Sequence, residues 1–133
     1  MKAFFPYEAT TRGITVRVAP RVLDEQSDPD AGQWAWSYHV RIENGTAGDV
    51  QLLGRHWIIT DAHGRVEHVR GDGVVGDQPV IAPGDSFDYV SGCPLPTSSG
   101  TMAGSYTMAV RETVFEVTIP LFSLDVPGAR VVH

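Results

Sequence analysis

The stretch QWAWSYHVRIEN, residues 33–44, limits the fold more than any other part of the chain. Trp34, Trp36, Tyr38, Val40 and Ile42 recur at every second position, and Ala35, Ser37, His39, Arg41 and Glu43 fill the alternate ones. Successive side chains of a strand point to opposite faces, so this period places three aromatic rings and two branched aliphatics on one buried side. The two tryptophans therefore read as core, not as a stacking platform. The same period returns at Ile14, Val16 and Val18, along VQLLGRHWIITD from Val50, and in RVEHVR. It returns again from Ser86 to Ser91 through Phe87 and Tyr89, through Met102, Tyr106, Met108 and Val110, and through Phe115, Val117 and Ile119. No ten-residue run has a helical period, and 14 glycines and 9 prolines punctuate the segments. The expected fold is all-β: a β-sandwich of two antiparallel sheets with about seven or eight short strands.

Turn chemistry sets the connections. Asn44-Gly45 reads as a turn between two extended runs because both residues tolerate positive φ. Asp61-Ala62-His63-Gly64 has Asp at its first position and Gly at its fourth, which predicts a hairpin into RVEHVR with His63 as a positive-φ residue at the tip. If Ala62–Gly64 is a three-residue loop, Asp61 faces Arg65, and His56 lies diagonal to His68 with Trp57 and Ile59 on the opposite face. DEQSDPDAG, residues 24–32, reads as an exposed acidic loop. The 133 residues are expected to form a single domain, with residues 1–11 a loose arm and 126–133 a C-terminal tail.

Apolar residues make up 42% and charged residues 20%, a globular balance without any low-complexity segment. Ten Lys and Arg against sixteen Asp and Glu give a net charge of −6, and the basic residues do not cluster. Nucleic acid and anionic membranes, which need clustered positive charge, are therefore not expected as partners. Cys93 is the only cysteine, so an internal disulfide and a paired-thiolate zinc site are ruled out. No run of eighteen apolar residues occurs, and the expected setting is cytoplasmic.

VRGDGVVGDQP, residues 69–79, spaces Gly71, Gly73 and Gly76 as G-x-G-x-x-G. A dinucleotide fold would need a helix to open there, and Pro79, Pro83 and Gly84 would break one. The P-loop reading also fails, because the only lysine is Lys2. Two readings remain. The glycines accept positive φ in a sharp bend or bulge, or their amides form a concave anion nest flanked by Arg70 and Arg55. His56 and His68 are likewise either solvated strand histidines or half of a divalent-cation site, since two imidazoles fall short of the three or four ligands a tight centre uses. Cys93 reads as a small semi-buried residue, and Asp85 and Asp88, three apart on a strand, face opposite sides. No nucleophile–base motif is present, so no catalytic residue is assigned and no cofactor is expected.

LLGRHWIITDAHG, VRGDGVVGDQPVIAPGDSFDYVSG and SSGTMAGSYTM, in that order, resemble the ApaG family over roughly residues 12–125. The resemblance implies a fibronectin-III or immunoglobulin-like β-sandwich, bacterial single-domain proteins, and a link to cobalt tolerance and magnesium homeostasis. It also implies partner-recruiting relatives and no settled catalytic residues. The expected function is a noncatalytic interaction module, binding a protein partner through loops or edge strands. The alternative is a binder or weak hydrolase of phosphate, pyrophosphate or dinucleoside polyphosphates, acting at Arg70, Gly71, Gly73, Gly76, Arg55 and His56.

Overall fold

The structure, a computed structural model, describes residues 4–127. Nine strands follow one another among the described residues: β1 (Tyr7–Thr11), β2 (Ile14–Val22), β3 (Trp34–Asn44), β4 (Val50–Asp61), β5 (Val66–Asp72), β6 (Val80–Ile81), β7 (Ser86–Leu95), β8 (Gly100–Val110) and β9 (Thr113–Leu124). The acidic segment between β2 and β3 holds two single 3-10 turns, Asp24–Gln26 and Pro29–Ala31. All strand pairings are antiparallel: β1-β2-β3-β7 form one sheet and β5-β4-β8-β9 the other, with β6 paired to the start of β4.

The alternation in β3 becomes burial. Trp36, Tyr38, Val40 and Ile42 are buried, and they meet Leu52, Trp57, Tyr106, Met108, Val117 and Phe122 of the facing sheet. Tyr38 and Phe122 both pack on Trp57, at ring-centroid distances of 5.2 and 5.9 Å, in the edge-on arrangement aromatic quadrupoles favour. At the core's polar point the hydroxyls of Tyr89 and Tyr106 bond to each other. Each supplies the partner that a buried hydroxyl would otherwise lack.

Three features differ from the sequence-based expectation. Residues 7–11 of the expected loose arm form β1, paired with β2 from Tyr7↔Val18 to Thr11↔Ile14 across a tight turn. Asn44-Gly45 is not a hairpin turn: β3 and β4 lie in different sheets, and neither residue has positive φ. Instead the buried Asn44 side chain holds the crossover, donating to the carbonyls of Gly48 and Ile81 and accepting from the Thr46 N–H and hydroxyl. At the β4–β5 turn the positive φ belongs to Gly64 (81°), not to His63. The turn is closed by Asp61, whose Oδ1 accepts the N–H groups of His63 and Arg65. Of the expected tail at 126–133, only residues 126 and 127 are described; the rest lies outside the described residues, and Val126 packs against the core.

Candidate functional site

β4 carries the residues singled out by the sequence, and its register places them. His56 pairs with Arg70 and Ile58 with His68, so His56 and His68 are diagonal neighbours, as the three-residue loop requires. Their ring nitrogens, His56 Nε2 and His68 Nδ1, lie 2.9 Å apart. One ring must donate and the other accept, an arrangement that double protonation would destroy. Burial first, then the charge of Arg70 and the neighbouring ring, hold His56 below its ordinary value. Among the described residues no group of three or more His, Cys, Asp or Glu side chains could hold a metal ion.

Arg55 and Arg70 fall on opposite faces of their sheet. Arg55 pairs with Gly71 and shares the inward face with Trp57, whereas Arg70 is exposed beside His56 on the outer face. Arg55 Nη1 donates to the carbonyls of Asp72 (3.1 Å) and Gly73 (2.9 Å). Its guanidinium crosses Gly71 so closely that a Cβ there would come within 2.8 Å of it. The arginine expected to hold an anion thus pins the chain leaving β5.

The glycine segment is a bend with no helix. Val74 and Asp77 exchange N–H···O bonds of 2.8 Å around Val75 (φ 42°) and Gly76 (φ 86°), a two-residue turn of the I′ type. At Gly73 φ is 62°, and a Cβ would collide with the Asp77 carbonyl oxygen. Its N–H donates to Leu53 O at 2.8 Å, and Gln78 Nε2 donates to the same oxygen. Leu53 is the extra residue where the β4–β8 register shifts, and this bulge aims its carbonyl at the loop. The amides of Gly73, Val74 and Asp77 are therefore occupied by carbonyls of the chain itself.

Over Gly54, where the outer face lacks a side chain, lies an open groove of about 560 Å³. Arg70 and Asp72 of β5 line one flank, Thr107 of β8 and Glu116 of β9 the other, and His56 lies beside Gly54 on β4 between them. Ser105 (2.9 Å) and Thr107 (2.8 Å) donate to the Glu116 carboxylate and fix it there. Both signs of charge meet in this groove, a poorer match to a polyanion than to a protein surface of mixed charge.

A second cavity, of about 280 Å³, opens between the sheets where β5 and β7 approach. Tyr38, Trp57, Val69 and Met102 form apolar walls, with Arg55, Glu67 and Cys93 also lining it. Burial raises the Cys93 thiol to about 11, which leaves almost no thiolate at neutral pH. Sequence reasoning missed this slot. Its signal was the uncharged run Tyr89-Val90-Ser91-Gly92-Cys93-Pro94-Leu95, unusual for a strand at a sheet edge. Asp88, just before that run, accepts from Arg41 Nε and Nη2 and lies 3.1 Å from His39 Nε2. The Arg41 hydrogen bonds hold it below its ordinary value.

The two-sheet architecture and these surfaces define an all-β sandwich domain. No helix among the described residues is long and apolar enough to cross a membrane. The ApaG domain model matches residues 24–110, and the chain belongs to the ApaG family. It is 54% identical over 129 residues to Protein ApaG of Methylobacterium sp. (strain 4-46), covering 96% of this chain and 99% of that one. Protein ApaG of Rhodospirillum centenum is 55% identical over 125 residues, 93% of this chain and 96% of the relative. A crystal structure of the ApaA protein from Bordetella pertussis superposes with a TM-score of 0.84 at 48% identity, over 96% of this chain and all of that one (100%).

Proposed function

We propose that this chain is a noncatalytic protein-interaction module. The observation that carries the reading is the side of the sandwich between β5 and β7, where a strand edge free of charge from Tyr89 to Leu95 borders an apolar slot. Exposed edges are normally blunted by charge, proline or bulges, and β5 is blunted by Glu67, His68, Arg70 and Asp72. On β7 the run before Pro94 carries neither charge nor bulge, and such a stretch is suited to a partner. The lone thiol is kept protonated by burial, which supports a binding role over nucleophilic chemistry. In this reading the link to cobalt tolerance and magnesium balance that the family implies runs through the bound partner in the cytoplasm, not through an ion on this chain.

The test is affinity capture with the tagged full chain from bacterial cytosol, with in-cell crosslinking and substitutions on β5, β7 and the outer face that preserve the fold. Reproducible recovery of one protein, lost with one set of surface substitutions, is expected. The reading fails if no such partner is recovered while the pure protein releases phosphate from pyrophosphate and Arg70→Ala abolishes that release. That second result would favour a phosphoanhydride ligand in the groove over Gly54.

A further inference from the structure

We infer that β7 accepts an extended segment of a partner protein as an added antiparallel strand, its alternate side chains entering the slot between the sheets in the order basic, apolar, acidic. This rests on the interaction-module reading and names the site and the chemistry of its partner.

Leu23 N–H donates to Ala35 O, so the odd-numbered residues of β3 direct their polar groups toward β2 and the even-numbered ones toward β7. In the register Tyr38↔Ser91 and Trp36↔Cys93, residues 91 and 93 are bonded to β3, and the N–H and C=O groups of Val90 and Gly92 point away from the sheet. Pro94, with no N–H to offer, marks the end of that edge. Val90 is 59% exposed and no strand of the described residues pairs with this side of β7. Val90 and Gly92 thus offer unpaired donors and acceptors to an added strand.

The inward positions of β4 and β5 form three rows, Arg55 with Gly71, Trp57 with Val69 and Ile59 with Glu67. Rows on one face of a strand recur at roughly 6.6 Å, the same period at which an added strand presents its inward side chains. The Tyr89 hydroxyl meets that of Tyr106, which pairs with Arg55, and Leu95 lies against Gly100, which pairs with Asp61, so β7 runs from the arginine row toward the glutamate row. A strand added antiparallel to β7 therefore meets Glu67 first, the Trp57–Val69 wall second and Arg55 last. A Lys or Arg, an apolar residue and an Asp or Glu at alternate positions complement these rows in turn. Arg55 spends Nη1 on the loop carbonyls, and its remaining N–H groups are available to a carboxylate.

The test uses blocked peptides in a threonine background, titrated into the full chain and followed by amide chemical shifts. A peptide with Lys, Leu and Glu at alternate positions should bind saturably and move Val90, Gly92, Val69 and Arg55. The reversed order, and the same three residues placed adjacently, should bind about tenfold more weakly or worse. Glu67→Lys, on an exposed position, should weaken the first peptide about tenfold and favour a version with Glu in place of Lys, a reciprocal change that a merely structural role would not produce. Gly92→Pro removes an outward donor without breaking a bond to β3 and should abolish binding, with circular dichroism confirming the fold. The proposal is overturned if millimolar peptide leaves Val90 and Gly92 unmoved, if reversed order binds equally, or if Glu67→Lys shows no reciprocal preference. A partner captured through the outer face with these peptides silent would overturn strand addition and leave the interaction-module reading standing.

Discussion

The two long sides of the sandwich are finished differently. On one side β1 lies against β9: Thr118 N–H donates to Thr11 Oγ1 (3.1 Å), Ser123 N–H reaches Tyr7 Oη (3.4 Å), and the Tyr7 ring packs on Phe122 at 5.9 Å. Arg12 adds its guanidinium over the Phe115 ring at 4.7 Å. Edge amides that would otherwise face solvent or another chain are capped by side chains of the same molecule. On the other side β5 and β7 stop short of each other and leave a slot. An edge closed from within contributes to stability, whereas one left open is available for binding, and the two sides should respond differently to substitution.

The largest contrast should come from core aromatics. Phe122→Ala, at a fully buried ring touching Tyr7, Tyr38 and Trp57, is expected to cost about 3–5 kcal/mol in urea unfolding. Val69→Ala, half-buried at the slot, should cost about 1 kcal/mol or less. Equal losses would show that the open side is as tightly packed as the closed one.

The glycine bend beside the slot allows a finer comparison. Gly73→Ala combines a left-handed backbone with a collision at Asp77 and is expected to cost roughly 2–4 kcal/mol. Gly76→Ala, also at positive φ but facing open space, should cost about 1 kcal/mol. If the two cost the same, the close approach at Gly73 is not what fixes the bend.

Thr11→Val removes the acceptor for Thr118 N–H on the closed side and should cost about 0.5–1 kcal/mol. Hydrogen exchange at Thr118 should accelerate while Val90 and Gly92, already unpaired, keep their rates. The smallest effect is electrostatic. Because His56 is held below its ordinary value, the unfolded chain takes up that proton first as pH falls. Its contribution is full above about pH 6.5 and declines below that until the folded-state value is passed, so His56→Gln should flatten this part of the pH profile. A separate loss at lower pH belongs to Asp88, whose contribution is present above about pH 3.9 and disappears as pH falls through its depressed folded value.

Local patterns in the sequence carried most of this architecture. The alternation at 34–42 forces a buried strand, and the fixed length of the Asp61–Gly64 turn places His56 diagonal to His68. Asn44-Gly45 misled because the composition that makes a hairpin also suits a crossover between sheets, and only the distant partners β7 and β8 decide which it is. β1 was hidden because its burial comes from β9, more than a hundred residues away. Parity separates Arg55 from Arg70, yet nothing local indicates that Arg55 would bond to the carbonyls of Asp72 and Gly73. The slot stayed out of sight for a related reason: its walls come from both sheets.

The crossover at Asn44 also bears on how the chain is made. The first sheet is completed by β7, and β8 occupies an interior place in the second, so both depend on segments that leave the ribosome late. A nascent chain ending before Gly100 can form hairpins but cannot seal them into a shared interior. Maturation is thereby postponed until β8 has been synthesised.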